Sequence, residues 1–141
     1  MYRKIIVLPL LLMCCAVFAQ QSDTTKAIAG ADTTVYSKVD TEAVFPGGKQ
    51  GWINFIQHNL NAAVPTDNGA GPGKYVVWVK FIVTKEGHVK NFAAETKLGY
   101  GLEAEVLRML QLMPDWIPAK LNGKPVNSYK RVSQIFQVSE G

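Results

Sequence analysis

The run Met113-Pro114-Asp115-Trp116-Ile117-Pro118-Ala119-Lys120-Leu121-Asn122-Gly123-Lys124-Pro125-Val126 constrains the fold more than any other stretch of the chain. Pro114 ends a preceding helix, because proline has no N–H to donate and turns its predecessor away from helical geometry. Pro118 and the Asn122-Gly123 turn keep the chain from re-entering one. Trp116, held between the prolines, offers the large apolar area that a small core needs, which makes it a core plug rather than a binding residue. The run is therefore a rigid connector that pins a helix end to a sheet. Its residues form no nucleophile or metal constellation, so its content is architectural.

The flanking patterns agree. Upstream, Leu102, Val106, Met109, Leu110 and Met113 make one stripe at a 3.6-residue period, which predicts a helix over Gly101–Met113. Glu103 and Glu105 suit the dipole of its first turn, and Arg108 pairs with Glu105 at i, i+3 on its surface. Downstream, Val126–Val138 reads as the last strand, with Val132, Phe136 and Val138 on the core face and Tyr129, Arg131, Ser133, Ile135 and Gln137 on the other. Tyr75–Thr84 is the clearest strand. Its alternate residues Tyr75, Val77, Val79, Phe81 and Val83 face inward, and Lys85-Glu86-Gly87 turns it into a return strand over His88–Glu95. Pro46-Gly47-Gly48 is a turn into a helix over Lys49–Leu60, which presents Trp52, Phe55, Ile56 and Leu60, and Asn61–Gly73 is loop. The order helix, hairpin, helix, strand predicts an α+β fold, a small two-layer domain in which a three-stranded antiparallel sheet carries two helices on one face.

The N-terminus is a separate matter. Arg3 and Lys4 precede an apolar stretch, Ile5–Phe18, that ends in Val17-Phe18-Ala19, the three-part pattern of a secretory signal peptide over residues 1–19. The stretch is shorter than the roughly 20 residues a spanning helix needs, and Pro9 interrupts it. An uncleaved anchor and a lipoprotein at Cys14 or Cys15 are the alternatives. Both cysteines lie in this leader, so the mature chain has no disulfide and no thiolate ligand, and its core alone must hold it together. Removal of Arg3 and Lys4 lowers the net charge from +4 to +2. The remaining charges are interspersed, which argues against a nucleic-acid surface. Residues 20–40, rich in Ser, Thr, Asp and Ala, bury too little to offset their ordering entropy and read as a flexible linker ahead of a domain over 41–141.

No catalytic constellation emerges, and no cofactor or metal is expected. His58 and His88 lie 30 residues apart with no acidic or thiol companions at ligand spacing. No serine sits in a nucleophile elbow. Gly69-Ala70-Gly71-Pro72-Gly73 lacks the helix and Lys-Ser/Thr pair of a phosphate loop. A protein-interaction module remains.

In order and spacing, Phe45-Pro46-Gly47-Gly48, Asn59-Leu60, the strand Val76–Val83, Lys85-Glu86-Gly87, Leu102-Glu103-Ala104-Glu105 with Arg108, Met113-Pro114-Asp115-Trp116-Ile117-Pro118-Ala119-Lys120, Asn122-Gly123-Lys124-Pro125-Val126 and Ile135-Phe136 resemble the C-terminal domain of the TonB energy-transducer family, in its Bacteroidetes-type form. The resemblance implies a periplasmic, non-enzymatic module that binds peptide segments of outer-membrane transporters by strand addition, in energy-dependent transport. It implies as the candidate site the exposed edge of the last strand at Tyr129, Arg131, Ser133, Ile135 and Gln137, where main-chain groups would supply the pairing and side chains the specificity. Lys130-Arg131 would favour an acidic peptide. The chain departs from the family plan in its short leader, in a linker without prolines, and in having Ser133 near the place of the family's last-strand proline. Twenty linker residues reach at most about 70 Å when extended. Two alternatives stay open: a membrane-anchored transducer, and a structural homodimer or assembly component that uses the same edge.

Overall fold

The computed structural model describes residues 32–141, so the expected leader and residues 20–31 of the expected linker lie outside the described residues. Along the chain run β1 (Val35–Tyr36), α1 (Gly48–Asn59), α2 (Val64–Asp67), β2 (Gly73–Val83), β3 (Val89–Ala94), α3 (Leu102–Leu110), β4 (Ala119–Leu121) and β5 (Lys124–Val138). The two long strands are the spine. β2 and β5 pair antiparallel through eleven consecutive residues, from Gly73↔Val138 to Val83↔Ser128, without a register shift. β3 returns antiparallel to the other side of β2.

The fold is α+β, as the patterning predicts, but the expected three-stranded antiparallel sheet is corrected. The sheet has five strands in the order β1-β5-β2-β3, with β4 paired to β5. It is also mixed, because β1 runs parallel to β5 with Val35↔Asn127 and Tyr36↔Ser128 in register. β1 is two residues long and β4 three, too short to show the alternation by which strands are recognised. Side-chain hydrogen bonds fix β1 instead: Asn127 Nδ2 donates to the carbonyls of Asp32 and Thr34 at 2.9 and 3.2 Å. Strand pairing thus begins at Val35, inside the stretch read as linker. The stretch read as loop after α1 also contains a turn of helix, α2, begun by Val64 and Pro65, where proline is favoured at a helix start.

α1 and α3 pack on one face of the sheet. Leu102, Val106, Met109 and Leu110 of α3 are buried with Val77, Val79 and Phe136, and Trp52, Phe55 and Ile56 of α1 pack against them. A second cluster surrounds the connector. The Trp116 ring lies 5.4 Å from Phe81, 5.6 Å from Phe45 and 6.0 Å from Trp52, each approach edge-on, the geometry that ring quadrupoles favour. Trp116 N–H donates to the Gly87 carbonyl at 2.8 Å. A Cβ on Gly87 would lie 2.2 Å from the Trp116 carbonyl, and Gly87 has φ +94°. Only glycine fits there, so the β2–β3 turn and the connector are locked by main-chain contact. The segment Thr41–Val44 is bridged to the connector in the same way, at Thr41↔Lys120 and Val44↔Ile117.

Candidate functional site

The sheet has two outer edges, and they differ. On β3, two residues, Asn91 and Phe92, oppose Phe81, a bulge with Asn91 at φ +57°. The extra residue resets the alternation so that Val89 and Phe92 both reach the aromatic cluster. It also bends a six-residue edge that carries an exposed lysine, Lys90. These are the devices by which sheets discourage foreign strands. β5 has no bulge over Tyr129–Val138, and its two cations there, Lys130 and Arg131, are each matched to a carboxylate. One side of that segment is paired throughout to β2. Along the other side, β1 reaches only Asn127 and Ser128, and β4 only Lys124–Val126. Among the described residues no strand pairs with the outer side of Tyr129–Val138. An antiparallel strand with one partner leaves alternate N–H and C=O groups pointing away from it, so this ten-residue row can accept another strand.

The five side chains expected at the site, Tyr129, Arg131, Ser133, Ile135 and Gln137, all lie on β5, and all are exposed on the sheet face opposite the helices. They flank the edge rather than form it. Arg131 lays its guanidinium 3.8 Å from the Trp78 ring centre and donates from Nε to Glu95. Lys80 Nζ stands 4.0 Å over the Tyr129 ring. Ser133 lies opposite Trp78 and Ile135 opposite Val76. Gln137 Nε2 donates to the Gly73 carbonyl at 3.3 Å. The outer face is thus a cation–aromatic surface in which Trp78 and Lys80, not among the expected site residues, hold Arg131 and Tyr129 in place.

Lys130 and Arg131 do not make one basic patch. They alternate across the sheet: Lys130 meets Glu42 at 3.4 Å, while Arg131 meets Glu95 on the other face. The acidic-peptide preference read from that pair therefore loses its basis, since each cation already has a carboxylate.

The helix side of the edge holds a feature that the sequence reading missed. A cavity of about 290 Å³ lies between Phe45, Trp52 and Trp116, with Lys130 and Val132 of β5 on its wall and Lys49 of α1 beside it. Strand parity already placed Val132 on this face. That the Phe45 and Trp52 rings gather around the Trp116 plug and leave space beside β5 depends on tertiary placement.

The Glu105–Arg108 pair is more than a surface contact. Glu105 is only 7% exposed. It accepts from Arg108 Nε and Nη2 at 2.8 and 2.6 Å and from the Asn61 N–H at 2.7 Å. Arg108 also donates to the Asn59 carbonyl at 2.6 Å. The Arg108 hydrogen bond first, and the Asn61 N–H with it, hold the Glu105 carboxyl below its ordinary range against the opposing effect of burial. The pair therefore clasps the end of α1 to α3. His58 and His88 lie on separate elements. His88 pairs instead with Asp115 of the connector at 2.9 Å. Among the described residues there is no group of three or more His, Cys, Asp or Glu side chains suited to a metal. No helix among them is long and apolar enough to cross a membrane.

Residues 76–138, from β2 to the end of β5, match the family model of the Gram-negative bacterial TonB protein C-terminal. No curated protein and no solved structure matches the chain. Over residues 76–138 the chain is similar to the TonB C-terminal domain family.

Proposed function

We propose that the domain captures extended peptide segments of outer-membrane transporters by adding them as a strand along Tyr129–Val138. One observation carries this reading: β5 keeps a long, bulge-free segment whose outer side has no strand partner among the described residues, while the other sheet edge is broken by a bulge. The family supports it. TonB C-terminal domains are protein-interaction domains of the cell envelope, linked to energy-coupled transport and to outer-membrane transporters. Main-chain pairing supplies affinity, and Tyr129, Arg131, Ser133, Ile135 and Gln137 flank the incoming strand on the outer face. The reading takes the protein as exported to the periplasm with residues 1–19 removed.

The test is a titration of the full chain, isotope-labelled, with synthetic peptides copied from the N-terminal segments of outer-membrane transporters. The amide signals of Tyr129–Val138 are expected to move while those of Val89–Ala94 stay. Peptides that leave the β5 signals unchanged, with β5 signals that instead shift on concentrating the protein alone, would transfer this edge to self-pairing and overturn the proposal.

A further inference from the structure

We infer that β1 is a displaceable strap over the start of the strand-addition row: a partner strand long enough to run past Tyr129 takes its place and frees residues 32–38 from the sheet. This inference rests on the strand-addition reading and ties the arm ahead of the domain to occupancy of the β5 edge. Ser128 shows that the two strands compete. It pairs with Val83 of β2 on one side and with Tyr36 of β1 on the other, so β1 lies on the outer side of β5, in line with the open row. The row begins at Tyr129, the residue after the last one that β1 covers. β1 runs parallel to β5, so Ser37 would stand beside Tyr129 if the ladder went on. The ladder stops instead at Tyr36, and the Asp40 and Thr41 N–H groups donate to the Lys120 carbonyl of β4 at 3.0 and 3.1 Å. β1 thus covers the start of the edge without filling it.

The strap is held lightly, and the fold is closed behind it. Two residues of parallel ladder tie β1 to β5, a pairing slightly weaker per residue than the antiparallel one. Val35 and Tyr36 are half-buried, and neither belongs to the two core clusters; Val39 is the first apolar side chain of the described residues to reach one. The clasp is a single side chain. Asn127 Nδ2 donates to the Asp32 and Thr34 carbonyls, and both bonds are exposed, where water competes for them. Few buried apolar contacts and exposed hydrogen bonds mark a segment that opens locally, well below the free energy of global unfolding. Removing β1 empties no core site. Behind it, the Lys120 N–H donates to the Thr41 carbonyl at 2.9 Å, the Asn122 N–H donates to the Asp40 carboxylate at 2.7 Å, and Ala43 and Phe45 are buried in the aromatic cluster. Peeling from the N-terminal side halts there. A partner strand that replaces β1 pairs the same main-chain groups of Asn127 and Ser128, so the exchange orphans none of them. The freed residues 32–38 extend at most about 25 Å, which lengthens the arm ahead of the domain. The coupling is reciprocal: whatever holds β1 down opposes a strand that overruns Tyr129 and leaves one that stops there unaffected.

The experiment uses the full chain, its Asn127→Ala variant and two synthetic peptides of alternating threonine and valine with lysine ends, one of ten residues and one of sixteen. Amide exchange of the free chain reads β1 on its own. The amides of Val35 and Tyr36 are expected to exchange by local opening, faster than those of Val77 and Val79 in β2. In Asn127→Ala they should lose protection altogether, while the amides of Trp116 and β2 keep theirs because the fold survives. Both peptides should shift the amides of Tyr129–Val138. Only the longer should release β1, moving the Val35 and Tyr36 signals to positions typical of unstructured chain. The variant should bind the longer peptide roughly tenfold more tightly than the native chain, because the clasp is gone, and the shorter one equally well. Val35 and Tyr36 amides that exchange as slowly as those of β2 would overturn the strap, as would binding of the longer peptide with the β1 signals left in place; strand addition stands in either case. If neither peptide shifts the β5 amides, strand addition fails and the strap falls with it.

Discussion

Two residues of the connector do separable jobs. Trp116 fills the centre of the aromatic cluster, and its main chain is bonded to the Gly87 turn. Trp116→Ala should cost about 3–5 kcal/mol, measured by chemical denaturation of the full chain. Asp115, its neighbour, reaches the other way to the exposed His88. The hydrogen bond to Asp115, and then the carboxylate's charge, raise the His88 pKa above its ordinary value of 6.5. A pKa raised by folding means that the contact helps fully below the unfolded value and is lost as pH rises through the folded one. Both side chains are well exposed, so the stabilisation is small and screened by salt. An NMR titration should find the His88 midpoint higher in the native chain than in Asp115→Asn. Equal midpoints would show that the pair does not persist in solution. The role of Trp116 as a plug was legible from its place between two prolines. Its buried, unpaired Nε1 was not, because hydrogen-bond satisfaction depends on neighbours that only the folded chain assembles.

Among the elements, the long ones could be read and the short ones could not. α1, α3, β2 and β5 carry a periodic apolar face, β3 follows from the turn before it, and each lies within a few residues of where the sequence puts it. β1 and β4 have two and three residues, and their partners lie far away in sequence, so no local signal marks them. The α1–α3 clasp shows the same limit. Spacing exposes the Glu105–Arg108 pair, while the Asn59 carbonyl and Asn61 N–H that complete it come from another helix end. Glu105→Ala removes the acceptor of the Arg108 and Asn61 bonds, leaves only the Arg108–Asn59 bond between the helices and strands the Asn61 N–H, and should cost about 2 kcal/mol in the same denaturation experiment. The Glu105 carboxyl is held below its usual range, so its contribution is present above the unfolded carboxylate pKa and fades as pH falls through the folded one. The penalty of the substitution should therefore shrink in acid. A penalty independent of pH would mean that the ion pair contributes nothing beyond packing.

For the molecule as a whole, the sheet divides its labour. One face is spent on helices, one edge is bent by a bulge, and among the described residues the outer face carries no helix and the outer side of Tyr129–Val138 no strand. The sequence reading placed its candidate residues on one face of the last strand because parity along Val126–Val138 separates core from surface. Parity does not tell which of two edges is free, and the family resemblance supplied that choice. The central claim, that alternate main-chain groups of Tyr129–Val138 stand open to a foreign strand, is tested most directly by residue-resolved amide hydrogen exchange on the full chain without any ligand. The account predicts alternation along that segment, with slow amides facing β2 and fast ones facing outward at every second residue. Uniform slow exchange from Tyr129 to Val138 would mean that the row is already occupied and would contradict it.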